Sequence, residues 1–277
     1  MTLPRIGVFD SGVGGLTVLK ALAERLRAHY LYFGDTARLP YGTKSAETVA
    51  RYAIGAARFL ELQNIDLLVI ACNTASALAL PKIKDAASVP VVGVVEPGAA
   101  MASEVSRNRR AIVIATEATV ASHAYRDALQ RQGIEALEKA CPLFVPLVEE
   151  GWTEHPVTEQ VARVYLGEAV AACKEEADVL VLACTHYPLI APLLRRITPQ
   201  SMQIVDSAES TARVVKAMIE SSTPTLSAKS ADKGGAPKSD HRSFRFFVTD
   251  SVEKFKNLAT RFLGRQVDHV EHVDLGG

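Results

Sequence analysis

The stretch IDLLVIACNTASALALPKIK, residues 65–84, changes character in its middle. Up to Cys72 it is an apolar run of strand length; from Thr74 onward apolar residues recur at helical spacing. A strand that runs straight into a helix is half of a βαβ unit. The same succession recurs on both sides. IGVFD (6–10) precedes LTVLKALAERLR (16–27), and VPVVGVV (89–95) precedes PGAAMASEVS (97–106). Further on, RAIVIAT (110–116) precedes TVASHAYRDALQRQG (119–133), TEQVARVYLGEAVAACKEEA (158–177) leads into DVLVLAC (178–184), and QIVDSAES (203–210) follows. Alternation of this kind predicts an α/β fold, with mostly parallel sheets flanked by helices.

Three strand ends of the first half match three of the second in order. Phe9-Asp10-Ser11 pairs with Ile114-Ala115-Thr116, Ala71-Cys72-Asn73 with Ala183-Cys184-Thr185, and Val95-Glu96-Pro97 with Val205-Asp206-Ser207. The separations, 105, 112 and 110 residues, drift so little that two structural copies are expected. The expected organisation is a first lobe of residues 1–97 plus 208–277 and a second of 98–207, with the active site in the cleft between them. Residues 222–243, STPTLSAKSADKGGAPKSDHRS, lack apolar periodicity and read as a flexible linker. The strand and amphipathic helix of FRFFVTDSVEKFKNLATRFLG (244–264) would then pack back on the first lobe.

With 277 residues and 48% hydrophobic content, either lobe can bury a core. Lys plus Arg equals Asp plus Glu at 31 each, and the one dense basic run, 107–110, is short and reads as a solvated loop, so no nucleic-acid partner is expected. No secretory signal is visible after Met1, and no apolar run reaches the roughly 18 residues of a membrane span, so no membrane association is expected. Cys72, Cys141, Cys173 and Cys184 are too sparse for a disulfide framework; free thiols in a reducing cytoplasm are the natural expectation.

Ligands of parallel α/β sheets bind at the carboxyl ends of the strands, beside helix N-termini. Asp10, Ser11, Cys72, Asn73, Thr74, Cys184, Thr185 and His186 all fall there. A thiol at a helix start meets unpaired N–H groups and the positive end of the dipole, which favour thiolate, and the same groups hold a carboxylate. An ordinary thiol, with a pKa of about 8.5, is only about 3% ionised at pH 7, so such activation matters. Two sulfurs on opposite sides of one carbon suit inversion by proton transfer, one removing a proton from one face while the other supplies one to the opposite face. Asp10 and His186 could serve them as proton partners or orienters.

Each element has a plainer use. A cysteine ending an apolar strand is often a small core residue, which is the expectation for Cys141 and Cys173. His186 could be a satisfied turn residue and Asp10 a helix cap. GVGG at 12–15 resembles a dinucleotide loop, but the third glycine of that motif would fall at Thr17. Metal binding by Cys72, Cys184 and His186 lacks a ligand pair at zinc-finger spacing. A cysteine hydrolase would leave the second thiol unexplained, and so would a non-catalytic amino-acid-binding module.

Seven stretches, IGVFDSGVGGLTV, YFGDTARLPYG, VIACNTASA, VVGVVEPG, PLFVPLVEEG, LACTHYPL and IVDSA, make residues 6–208 resemble the glutamate racemases of the aspartate/glutamate racemase superfamily. The resemblance implies cofactor-independent interconversion of L- and D-glutamate, supplying D-glutamate for peptidoglycan, with Cys72 and Cys184 as proton carriers and Asp10 and His186 assisting. It places a further glutamate at Glu149, or at its neighbour Glu150. It also implies a substrate pocket of Asp10, Ser11, Tyr41, Gly42, Asn73, Thr74, Thr185 and His186, with Thr116 and Thr119 as additions. Glutamate is the implied small-molecule partner, no cofactor or metal is implied, and many such enzymes are homodimers. Aspartate racemase is the nearest alternative, because it would use the same thiol pair on a shorter dicarboxylate.

Overall fold

The computed structural model describes residues 3–173, 176–222 and 242–276. The first part of the chain runs β1 (Arg5–Asp10), α1 (Leu16–Arg25), β2 (His29–Gly34), α2 (Ala46–Glu61), β3 (Leu67–Ile70), α3 (Asn73–Ala86), β4 (Val91–Gly93) and α4 (Val95–Val105). The second runs β5 (Arg110–Ala115), α5 (Glu117–Ser122), α6 (Ala124–Arg131), β6 (Glu135–Ala140), α7 (Phe144–Glu149), α8 (Pro156–Ala172), β7 (Val179–Ala183), α9 (Ala191–Ile197), β8 (Gln203–Asp206) and α10 (Ser207–Ser222). The last described elements are β9 (Phe244–Val248), α11 (Val252–Leu263) and β10 (Glu271–His272). Of the 222–243 stretch expected to be a linker, residues 223–241 lie outside the described residues.

Two parallel sheets result, ordered β10-β9-β2-β1-β3-β4 and β6-β5-β7-β8. The quartet β2-β1-β3-β4 has the same order as β6-β5-β7-β8, as two copies of one unit would. Strands β3 and β7 sit inside their sheets and are buried at every position, because helices cover both faces; hence the unbroken apolar runs LLVI and VLVLA. Helix α2 shows how a cover helix forms. Ser45 caps it by accepting from the Thr48 N–H (3.3 Å), and Val49, Ala53, Ala56 and Leu60 recur on its buried stripe.

Among the described residues, β9 adds to the free edge of β2, and α11 packs beside α1. Phe255 of α11 lies 5.9 Å from Tyr32 and 6.3 Å from Phe246, ring centre to ring centre. Gly264 ends the helix in the left-handed region (φ +71°).

Three local expectations change. The run VPVVGVV is strand only to Gly93; Val94 and Val95 are buried by the start of α4 rather than by the sheet, and Glu96 sits in that helix's first turn, exposed and paired with Arg131. Glu96 is therefore not the strand-end counterpart of Asp206. Apolar runs do not by themselves tell a strand from a buried helical turn. The helix expected over 119–133 breaks at His123, whose φ is +56° and whose Nδ1 pairs with Glu138 on β6 (2.7 Å). Strands β2 and β6 carry no mark in the sequence reading. Strand β6, EALEKA, is the outer strand of its sheet and is mostly half-buried, so charged residues interrupt its apolar pattern.

Candidate active site

Cys72 follows β3 and Cys184 follows β7, each at the carboxyl end of its own sheet. Cys72 is the N-cap of α3, its Sγ accepting from the Ala75 N–H at 3.4 Å. The Cys184 carbonyl accepts the Tyr187 N–H, which starts the one-turn 3-10 helix Tyr187–Ile190 leading into α9. These ends meet across a seam between the sheets. Thr74 Oγ1 shares hydrogen bonds with Thr116 Oγ1 (3.0 Å) and Thr119 Oγ1 (3.3 Å), and Thr17 Oγ1 donates to the Thr185 carbonyl (3.0 Å). Gly14 lies so close to the second sheet's loop that a Cβ there would fall 2.2 Å from Thr185 Oγ1 and 2.5 Å from His186 Nδ1. Both cysteines are buried, each 5% exposed, at the carboxyl ends of their own sheets.

The surroundings of the two sulfurs differ. Cys72 Sγ donates to Ser11 Oγ at 3.4 Å, and Asp10 stands beside it, buried, with Oδ2 accepting from the Gly12 N–H (2.8 Å) and Oδ1 without a hydrogen-bond partner. Burial raises the Asp10 carboxyl, against the Gly12 N–H and the positive charge of His186, which pull it down. Cys72 is pushed up to about 12, first by burial and then by the Asp10 charge. The sequence reading expected the helix start to favour thiolate here. The N–H groups of Ala75 and Ser11 do pull that way, but desolvation outweighs them, and Cys72 is held as a neutral thiol.

On the other side, burial alone would lower His186. The Cys184 sulfur and the Glu149 carboxylate outweigh it and carry the imidazole up to about 10. Its Nε2 lies 3.2 Å from Glu149 Oε1, and that hydrogen bond holds the Glu149 carboxyl below the usual range. Glu149, at the end of α7, is thus the glutamate aimed at the histidine, whereas Glu150 is exposed. His186 is therefore the imidazole beside one sulfur, held well above its usual range, and Asp10 the carboxyl group beside the other.

The remaining expected pocket residues gather along the same seam, several with their side chains engaged by the protein. The Tyr41 hydroxyl donates to Asp35 Oδ2 (2.5 Å), and Gly42 abuts Thr116, its built Cβ 3.1 Å from the threonine Cβ. Tyr125 donates to Asn73 Oδ1 (2.5 Å) while Asn73 Nδ2 donates to Ser207 Oγ (3.3 Å), so the Asn73 amide joins α3 to α6 and α10. Sequence reasoning passed over Asp35, Tyr125, Ser207 and Gly14. Asp35 lies inside YFGDTARLPYG and Gly14 inside IGVFDSGVGGLTV, so their motifs were in view; Tyr125 sits in a helix whose pattern reads as plain amphipathic packing. Cys141 is buried with its carbonyl accepting from Tyr187, a structural setting, and Cys173 is half-buried away from the seam.

A cavity of about 550 Å³, lined by Ile112, Leu166, Cys173, Ala177 and Met202 among others, lies towards the strands' amino ends and holds neither Cys72 nor Cys184. Residue chemistry rather than open volume therefore marks the site. Among the described residues no group of three or more His, Cys, Asp or Glu could hold a metal ion, and no helix is long and apolar enough to cross a membrane.

The Asp/Glu/Hydantoin racemase family model matches residues 6–215. The glutamate racemase of Koribacter versatilis is 58% identical over 286 residues, covering 99% of this chain and 98% of its own length. The crystal structure of glutamate racemase from Francisella tularensis in complex with D-glutamate superposes with a TM-score of 0.85 at 33% identity, covering 99% of each chain. That from Thermus thermophilus, in complex with β-chloro-D-alanine, gives 0.83 at 42% identity, covering 98% of this chain and 97% of its own.

Proposed function

The chain belongs to the glutamate racemases of the Asp/Glu/Hydantoin racemase family, and from that membership we propose how its own residues interconvert L- and D-glutamate. The resting state is unlike on the two sides: a thiolate at Cys184 facing the protonated His186, and a thiol at Cys72 beside Asp10. Glutamate lies between them, its carboxylates received by backbone N–H groups at the strand ends and the start of α3. The Cys184 thiolate takes the α-proton and becomes a thiol, leaving the electron pair on the α-carbon and its carboxyl group. The Cys72 thiol gives its proton to the opposite face and becomes a thiolate. One C–H bond is broken and one formed, so configuration inverts without any change of oxidation state. When product leaves, exchange with solvent water removes the proton from Cys184 and returns one to Cys72, and the neighbouring His186 and Asp10 favour those starting states.

The observation that supports this reading is a buried cysteine at the carboxyl end of each sheet, Cys72 beside Asp10 and Cys184 beside His186, with Asp10 and His186 close enough to interact electrostatically. Because both cysteines are buried, glutamate reaches them when the two sides of the seam part. The same reading gives the enzyme the role of supplying D-glutamate for peptidoglycan in the cytoplasm, where its four free thiols stay reduced. A homodimer is the proposed assembly.

The test is exchange in heavy water. Purified protein given L-glutamate, without pyridoxal phosphate or metal, should place deuterium at the α-carbon and form D-glutamate, and should do so faster than with aspartate. C72S and C184S should fold and bind glutamate but lose at least about 100-fold in racemisation, the scale of a lost general acid or base. Normal turnover by either folded variant would refute the two-thiol assignment, and faster exchange with aspartate would move the substrate to the shorter acid.

A further inference from the structure

Helix α11 lies outside the stretch that the family model matches, yet three of its side chains reach the His186–Glu149 pair. Lys254, Arg261 and Phe262 are seven and eight residues apart, two turns of helix, so they share one stripe. Arg261 Nη1 donates to the Glu149 carbonyl (2.6 Å), and its guanidinium covers Gly151, where a Cβ would stand 3.0 Å from it. Lys254 Nζ lies 3.8 Å from Glu149 Oε2. The Phe262 ring meets the His186 ring edge to face, 5.2 Å between centres and 85° between planes. The helix is anchored to the first sheet through Phe255, whereas Glu149 and His186 belong to elements around the second.

We propose that α11 is the positioning element of the second acid–base pair, with Phe262 setting the plane of the His186 ring and Arg261 fixing the end of α7 so that Glu149 meets Nε2. This rests on the two-thiol reading above. The arginine caps the last carbonyl of a short helix where the chain turns through Gly151 (φ +82°), beside the backbone bonds from Glu150, Gly151 and Trp152 to the carbonyls of Pro146, Val148 and Leu147. The phenylalanine is buried and leaves the imidazole one orientation. Arg261 meets the Glu149 carbonyl and Gly151, and Phe262 meets the His186 ring, so both act through that pair.

The test uses the full-length enzyme with R261M, R261K and F262L. The expected result for R261M is a three- to tenfold lower kcat in both directions with KM within twofold, and an alkaline limb of the kcat profile displaced to lower pH. The limb moves that way because a loosened carboxylate holds the His186 proton less firmly. The charged groups facing that ring are Cys184 beside it, Glu149 from α7, Asp10 from β1 and Lys254 from α11. R261K should recover at least half of the loss, and F262L should show the same kcat and pH signature. Combining R261M with E149Q should lower kcat no further than E149Q alone. Multiplying losses in that double variant, or folded R261M and F262L with unchanged kcat and pH profile, overturn the proposal. Should R261M fail to fold, F262L carries the same reading, and a folded F262L with unchanged kcat and pH profile overturns the proposal. If C72S and C184S racemise normally, the two-thiol reading itself fails; if they are inactive while the α11 variants are silent, only the assignment of α11 fails.

Discussion

Replacing Gly14 by alanine adds one methyl group where the two sides of the seam touch. The new Cβ would stand 2.2 Å from Thr185 Oγ1, 2.5 Å from His186 Nδ1 and 2.6 Å from His186 Cε1, all far inside van der Waals contact. Gly14 is not among the glycines at positive φ, so alanine fits its backbone and the effect is purely steric. To restore contact the 186 loop must retreat by about 1 Å, a misplacement that can lower a rate by about 100-fold, or about 2.7 kcal/mol of barrier. Overpacking of this kind also destabilises by about 1–3 kcal/mol. The assay is kcat in both directions by circular dichroism of glutamate, with urea unfolding for stability. Gly55→Ala in α2 is the control: nothing lies within 4 Å of its Cβ, so the same methyl should stabilise by about 0.5–1 kcal/mol through helix propensity and leave kcat alone. A folded G14A enzyme with wild-type kcat would refute the claim that the Gly14 backbone sets the position of His186.

His186 is raised from 6.5 to about 10, so the stability it contributes is fully present below about pH 6.5 and is lost as pH rises through about 10. The Tm advantage of wild type over H186N should accordingly narrow between about pH 7 and 9, before unfolded Cys72, with an ordinary value of 9.0, begins to titrate. A gap that widens over that range would contradict the protonated imidazole. Tyr41 donates its hydroxyl to the fully buried Asp35 at 2.5 Å, leaving Thr249 (2.9 Å) and Arg38 (3.3 Å) as the other donors. Y41F should therefore lose about 1.5–3 kcal/mol in urea unfolding, as for a hydrogen bond to a charged group, while KM stays within a few-fold. A tenfold rise in KM with unchanged stability would make that hydroxyl a ligand donor instead.

The sheet centres were legible because parallel strands covered on both faces must be apolar, as β3 and β7 are throughout and β1 and β5 are apart from polar end residues. The outer strand β6 was not, since half-buried positions accept Glu and Lys as readily as Leu. The thiols, Asp10 and His186 could be read from their places at strand ends, because that placement is a matter of chain order alone. What could not be read was the balance of forces at each sulfur. The helix start argues for thiolate at Cys72 and burial beside Asp10 argues more strongly against it, a contest decided by how closely Asp10, Ser11 and Ala75 pack around the sulfur, not by their spacing. The reach of α11 was equally hidden, since Arg261 and Glu149 are 112 residues apart and neither segment marks the other.

Inversion of one carbon asks two things of a protein that pull in opposite directions. The proton carriers must approach opposite faces at matching distances, which a repeated scaffold supplies: strands β3 and β7 occupy the same rank in sheets of the same order and end in Ala-Cys. Yet the carriers must rest in unlike protonation states, which a true repeat forbids. In this chain the likeness stops one residue from the sulfurs. Where the first copy has Asp10 the second has Ala115, and where the first has Thr74 after its cysteine the second has His186. The carboxylate that favours a thiol is thus confined to one side and the imidazole that favours a thiolate to the other, so backbone symmetry serves the geometry while side-chain asymmetry serves the proton. On the two-thiol reading, erasing either half should cost racemisation: with Asp10→Asn the Cys72 thiol loses a charge that opposes its ionisation, with His186→Asn the Cys184 sulfur loses the imidazole beside it, and either change drives both sulfurs towards the same state, so a folded variant of either kind with wild-type kcat would refute it.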